Sequence, residues 1–210
     1  MLIRIRAALH EYIKENLFIV FICLILFIIG SISGGIMALT LPQESMEEIS
    51  DYLEAFFEFK QDQNEIDTYS ILLSSLGQKL TMVSVIWMLG ITIIGIPLVL
   101  TIIFLKGLLL GYTVTVLTSQ MSFGGFIFSI ISLLPHNILF LPAFLLTCIA
   151  AISVSITLFK NHFTRQGKNL SIELINYIFI IISTTGMTFF ASLVEAYITP
   201  TFMNLFLNYF

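Results

Sequence analysis

Long uncharged stretches alternate with a few short charged segments along the chain. No formal charge lies between Glu15 and Glu44, which leaves ample room for a helix of about 20 residues that crosses a bilayer. We place the first membrane-spanning helix at 17–39. Its apolar run is longer than the roughly 7–15 residues of a signal-peptide core, so an uncleaved anchor is favoured over a cleaved signal.

Two further runs predict membrane spans. The run 80–105 carries no charge and ends at Lys106, and it contains Pro97. The proline ring and the missing N–H predict a kink in the last turns before Lys106. The last apolar run, at about 174–198, ends before Pro200.

The uncharged segment 107–159 is too long for a single crossing. A polar, glycine-containing stretch at 119–125 breaks it once, and Pro135-His136-Asn137 breaks it again. The piece 107–134 therefore forms either one discontinuous span or a re-entrant hairpin.

The positions of the basic residues decide between these two topologies. If 107–134 crosses once, seven basic residues share the face of the N-terminus and Lys60 and Lys79 lie opposite. The seven are Arg4, Arg6, Lys14, Lys106, Lys160, Arg165 and Lys168. The positive-inside rule then favours five crossings, a cytoplasmic juxtamembrane segment 1–16 and an extracytoplasmic C-terminus. The aromatic tail 200–210 is expected to lie at the membrane interface.

The segment 40–79 is acidic, and this topology places it outside the cell. Ser45 and Glu48 fit a capping box, and apolar residues recur at helical spacing in two stripes. The stripes are Met46, Ile49, Leu53, Phe56 and Phe57, then Tyr69, Leu72, Leu73, Leu76 and Leu80. They predict two short amphipathic helices, which either rest on the lipid interface or bundle, or form a docking surface for an extracytoplasmic partner.

Composition supports the membrane class and excludes others. Apolar residues make up 58% of the 210 residues, charged residues 10%, and the net charge is −4, so neither a soluble domain nor a nucleic-acid-binding protein is expected. We predict an all-α polytopic membrane protein with a discontinuous third span. Cys23 and Cys148 lie in apolar runs and are expected to be reduced packing residues. Catalytic and cofactor motifs are absent, so we expect no enzyme and no cofactor.

Glu195 is the one acidic residue well inside an apolar run. Antiparallel neighbouring spans would place it at the depth of His136, where a Glu–His hydrogen bond, joined by Asn137, would satisfy both side chains. The alternatives are a metal or ion site at His136 and Glu195, or a proton relay.

Glycines recur at the spacing that lets helices approach closely, as in Gly30/Gly34, Gly90/Gly95 and Gly107/Gly111. Packing within one chain and homodimerisation would both use such faces, and the sequence does not separate them.

Four blocks in this order resemble the stage II sporulation protein M family. They are Trp87–Pro97, Leu105–Gly111, Leu134–Ala143 with its two Pro residues, and Glu195–Pro200. In the wider superfamily an acidic residue often stands where this chain has Phe140. The resemblance implies five spans and a role in engulfment of the forespore, at the mother-cell membrane of the sporulation septum.

It also implies partners: stage II sporulation proteins D and P, which are peptidoglycan hydrolases (a lytic transglycosylase and an amidase/endopeptidase). The expected function is a non-enzymatic membrane anchor for them. A small channel or transporter component, with Glu195 in its pathway, is the alternative that Pro97, the discontinuous span and Glu195 suggest.

Overall fold

The computed structural model describes residues 12–62, 68–163 and 170–202. These residues form α1 (Leu17–Leu39), α2 (Gln43–Asp62), α3 (Thr68–Gly90), α4 (Gly95–Phe163) and α5 (Leu170–Leu193), followed by a π-helical turn at Val194–Ile198. No β-strand occurs in these three ranges.

Five helical stretches are long and apolar enough to cross a membrane, which confirms the predicted class and number of spans. In order, they are Leu17–Leu39, Thr68–Gly90, Gly95–Gln120, Phe123–His162 and Ile172–Phe202.

Helix α4 contains the third and fourth spans and folds back on itself. A straight helix rises about 1.5 Å per residue, so residues 60 positions apart would lie about 90 Å from each other. Instead, the Ser155 hydroxyl donates to the carbonyls of Gly90 and Thr92 at 3.1 and 2.9 Å, beside the start of α4. Lys106 likewise lies over the ring of Phe140. The midpoint of this last pair is residue 123, next to Gly124 and Gly125.

The expected bounds of the second span were wrong. It is Thr68–Gly90 and not 80–105, because the chain turns at 91–94 and α4 begins at Gly95. Pro97 therefore lies in the first turn of α4 and does not kink a span. A proline is well tolerated there, because the first N–H groups of a helix have no intrahelical partner.

Of the two breaks expected in 107–159, the one at 119–125 is present and the one at Pro135-His136-Asn137 is not. The fold-back lies within the expected stretch 119–125, but it separates the third span from the fourth. The third span is thus a continuous helix, and the expected discontinuous span or hairpin at 107–134 was wrong. The second expected break was also wrong, because Pro135 and His136 lie inside the fourth span.

The first and third spans approach through reciprocal glycines. A methyl group added to Gly30 or Gly34 would overlap the carbonyl oxygens of Phe104 and Leu108 on the third span. One added to Gly107 or Gly111 would overlap those of Phe27 and Ser31 on the first. These small residues therefore let two backbones meet within one chain.

The fourth span forms the centre of the bundle. Phe140, Phe144, Cys148 and Val154 along it are fully buried, whereas α1 exposes large apolar side chains such as Phe18 and Phe21 to the surroundings. Polar groups join the last span to its neighbours: Thr147 donates to Thr184 at 2.9 Å, and Tyr177 donates to the carbonyl of Trp87 at 2.9 Å. Large apolar side chains on the outer faces of the other spans, such as Ile175 and Phe190, are exposed as well, as lipid-facing helices require.

Among α1–α5 in the described ranges, helix α2, with 20 residues, is the one that is not part of a span. The predicted first amphipathic helix is thus present, whereas the predicted second one is the start of the second span at Thr68. The side-chain amide of Gln120, at the end of the third span, donates to the carbonyl of Met46 at 2.7 Å. This bond ties the first turn of α2 to the bundle.

Several expectations concern residues outside the described ranges. These are residues 1–11 of the juxtamembrane segment, residues 203–210 of the aromatic tail, and Arg165 and Lys168. The side chains of Leu53, Phe56 and Phe57, which belong to the predicted apolar stripe, are also not described.

Candidate functional site

Glu195 lies in the π-helical turn Val194–Ile198, near the end of the last span. Here the N–H of Thr199 donates to the carbonyl of Val194, five residues earlier, so the helix is locally widened by one residue. Such π-bulges change the direction of the side chains that follow, and they are frequent at functional sites. The wider turn presents the carboxylate of Glu195 to the second span.

Lys79 of the second span forms an ion pair with Glu195. The hydroxyl of Ser75, one turn earlier, donates to the same carboxylate oxygen at 2.6 Å, and the Lys79 ammonium donates to Ser75 Oγ at 2.8 Å. The Lys79 side chain is 10% exposed and that of Glu195 is 30% exposed. Three polar groups thus satisfy one another between two apolar helices.

Lys106 is a second cation at this site. It lies about half-way along the third span, and its ammonium is 5.1 Å from the centre of the Phe140 ring. The Lys79 ammonium is 5.6 Å from the same ring, so Phe140 lies between two lysines. A cation–π contact contributes about 0.5–2 kcal/mol, less than the roughly 2.5–3.5 kcal/mol that a charge costs at the centre of a membrane helix. The ring alone does not compensate the charge of Lys106.

These side chains line one cavity of about 280 Å³. His136, Asn137 and Gln78 complete its polar wall, and Met82 and Phe140 its apolar wall. The Nδ1 atom of His136 is buried and has no hydrogen-bond partner among the described residues. With a neutral histidine, two lysines and one glutamate leave the cavity with one positive charge in excess.

The structure brings together most of the residues that the sequence singled out. Glu195, His136, Asn137 and Lys106 share the cavity, whereas Pro97 is exposed at the start of α4 and does not line it. The direct partners of Glu195 are Lys79 and Ser75, so the expected Glu195–His136 hydrogen bond is not formed.

Among residues 12–62, 68–163 and 170–202, no group of three His, Cys, Asp or Glu side chains could hold a metal ion. The alternative of a metal at His136 and Glu195 would have only those two protein ligands, and it stays a prediction.

Lys79 and Ser75 were not predicted as members of the site, and the depth of Lys106 was wrong. Both lysines were expected at the membrane faces, because charged residues usually lie there. A signal was present at 91–97, where Gly95 and Pro97 follow Thr92. Proline is common just inside the start of a helix. A helix that starts near Gly95 would have placed Lys106 inside the next span.

A second polar cluster lies at the opposite end of the bundle, where α1 and α5 begin. The hydroxyl of Ser153 donates to Glu173 at 2.7 Å and to the Asn16 side chain at 3.1 Å. Tyr12, which precedes the first span, lies close to Ser153, and burial raises the pKa of its phenol to about 12. The cluster joins the starts of the first and last spans to the fourth.

The five apolar spans and the buried charges between them define a multi-pass helical membrane protein. A family model described as stage II sporulation protein M matches residues 23–200. The chain belongs to this family and is a sporulation-related membrane protein, which confirms the resemblance seen in the sequence. Comparisons with curated proteins and with solved structures found no significant match.

Proposed function

We propose that this chain is a non-enzymatic membrane scaffold that holds peptidoglycan hydrolases at the sporulation septum during engulfment of the forespore. The observation that carries the proposal is α2, a helix outside the spans, whose acidic side chains are exposed wherever the structure describes them. They are Glu44, Glu47, Glu48 and Asp51. The family resemblance supports stage II sporulation proteins D and P as the bound hydrolases.

The Gln120–Met46 bond supports a docking role for α2. A helix of 20 residues with so polar a sequence would gain little from lying in lipid, and the bond fixes its first turn against the third span. A tethered helix loses less conformational freedom when a partner binds than a free segment does. The competing interpretation, that α2 only rests on the lipid interface, predicts no partner.

The proposal requires α2 to face away from the cytoplasm. Lys79 and Lys106 lie inside spans, so neither bears on orientation. Six basic residues lie, along the sequence, at or next to the span ends on the side away from α2. They are Arg4, Arg6, Lys14, Lys160, Arg165 and Lys168. Lys60 is the basic residue in the segment 40–67. This asymmetry supports a cytoplasmic N-terminus and an extracytoplasmic α2.

Co-purification from sporulating cells tests the proposal. We expect the two hydrolases to co-purify with the wild-type chain and to be lost when Glu47, Glu48 and Asp51 are changed to Lys. Glu15→Lys, the same charge reversal at the other end of the bundle, is the matched control and should retain both. Retention of both hydrolases by the α2 variant would refute the docking model.

The cavity favours a second candidate function, a channel or transporter component. Polar and ionisable groups inside membrane spans often mark a pathway, and Lys79, Glu195 and His136 lie together within the bundle. Ion flux in proteoliposomes that Glu195→Gln abolishes would support this candidate. Equal flux through empty and protein-containing vesicles would refute it.

A further inference from the structure

The charged cavity within the bundle has donors without acceptors. Among the described residues, Lys79 has the carboxylate of Glu195 as its partner, whereas Lys106 has neither a carboxylate nor a hydrogen bond. The buried Nδ1 of His136 also has no partner. A buried cation without a counter-charge is unfavourable in an apolar span, and the facing ring of Phe140 compensates it only in part.

We propose that this cavity binds one small anion with a single negative charge, held by the Lys106 ammonium. The side-chain amide of Asn137 is a neutral donor on the same wall, which His136 also lines. One such anion would bring the formal charge of the site, made of Lys79, Lys106 and Glu195, to zero. The site is independent of the proposed scaffold role and of any docking to α2.

The size of the cavity suits a free hydrated ion. Its volume is about 280 Å³, and a water molecule occupies about 30 Å³ in the liquid, so an anion fits with several waters. Lys79 and Lys106 lie about half-way along their spans, where a lipid phosphate would be drawn far from the membrane surface. We therefore expect a free halide or carboxylate ion as the ligand.

Phe140 supplies a sharp test of this assignment, because its ring lies within 6 Å of both lysine ammonium groups. A carboxylate at this position would be a permanent counter-charge for Lys106 and would compete with a diffusible anion. Glu195 supplies the opposite test. Glu195→Gln would free Lys79 from its carboxylate and raise the excess positive charge of the cavity.

The experiment is titration calorimetry on the purified full-length chain in neutral detergent, with HEPES as the only background anion. Sodium chloride and sodium formate are the probes, and vesicles of phosphatidylglycerol added to the same protein test a lipid source. We expect one chloride or formate to bind per chain. Lys106→Gln should weaken binding by about tenfold or more, since it removes the directly facing charge, and Lys106→Arg should restore it.

Two further variants should change affinity in opposite directions: Phe140→Glu should weaken it and Glu195→Gln should strengthen it. Lys14→Gln, the same change at an exposed site, should bind as the wild type does. No heat with either probe, unchanged binding by Lys106→Gln, or competition by lipid vesicles alone would overturn the proposal. If Phe140→Glu does not fold, the Lys106→Gln and Lys106→Arg pair still decides the result.

Discussion

Lys79 and Glu195 are 116 residues apart in the sequence and form an ion pair that joins the second span to the last one. Ser75 donates to the same carboxylate at 2.6 Å. The pair lies between helices whose other contacts are mostly apolar, so it fixes the register of two spans that would otherwise slide with little cost. We expect its main effect to be on the alignment of these helices.

Removing one member of the pair should destabilise the protein more than removing both. Glu195→Ala leaves the Lys79 charge without its carboxylate, and we expect a loss of about 2–3 kcal/mol, below the value for a fully buried pair because Glu195 is 30% exposed. The double variant Lys79→Met, Glu195→Leu should lose less. Unfolding in detergent measures both, and a double variant that loses at least as much stability as Glu195→Ala alone would contradict the pairing.

The glycines between the first and third spans should not tolerate a larger side chain. Gly34→Val would push a side chain into the carbonyl of Leu108, and we expect a loss of about 1–3 kcal/mol, as for other overpacked contacts. Gly77 and Gly186 have open space around the same position, so Gly77→Ala and Gly186→Ala are the controls. Equal melting temperatures for Gly34→Val and the controls would show that the two helices do not meet there.

We expect the folded chain to lose stability at alkaline pH because of the buried phenol of Tyr12. Its pKa is raised to about 12 in the folded chain, above the usual tyrosine value of 10.0, because burial favours the neutral phenol. Between these pH values the unfolded chain has released the proton while the folded chain still holds it, so stability falls as pH rises. The loss between pH 10 and 12 should be smaller in Tyr12→Phe than in the wild type. Identical pH profiles would contradict this assignment.

Cysteine labelling can determine on which side of the membrane the turn between the second and third spans lies. Cys23 and Cys148 are buried, so a reagent that does not cross membranes has little background. Thr92→Cys should be labelled only after the cell is opened, because the proposed orientation places this turn in the cytoplasm. Asp51→Cys should be labelled in intact cells. The reverse pattern would invert the orientation, and strong labelling of Lys106→Cys in intact cells would contradict its position inside a span.

The number of spans could be predicted from the sequence because apolar length alone sets it. The prediction failed at the boundaries, and the reason lies in Lys79 and Lys106. Each interrupts an apolar run, and a single sequence does not show that a carboxylate or an aromatic ring compensates the charge inside the bundle. Treating Lys106 as an interface residue moved the end of the second span by 15 residues, from Gly90 to Leu105.

Only part of the candidate site could be predicted from the sequence. Glu195 and His136 could be paired by depth, because antiparallel spans fix the relative heights of their residues. The choice of Lys79 as the direct partner depends on how the helices are arranged around the fourth span, and on the π-helical turn that directs Glu195. Neither leaves a clear pattern in the sequence.

The glycine motifs predicted a contact without identifying the partner helix. Their spacing predicted close packing correctly, but it fits contacts within a chain and contacts between two chains equally well. The structure uses Gly30, Gly34, Gly107 and Gly111 within one chain. A homodimer, if it forms, would need another surface.

We propose that the exposed acidic face of α2 contacts a peptidoglycan hydrolase. Photo-cross-linking tests it most directly, with a photoreactive residue at Asp51 or Glu47 in the full-length chain of sporulating cells, and at Ile93 in the turn at the other end as control. We expect a cross-link from α2 to stage II sporulation protein D or P, and none from Ile93. Cross-links from α2 to lipid alone would contradict the claim.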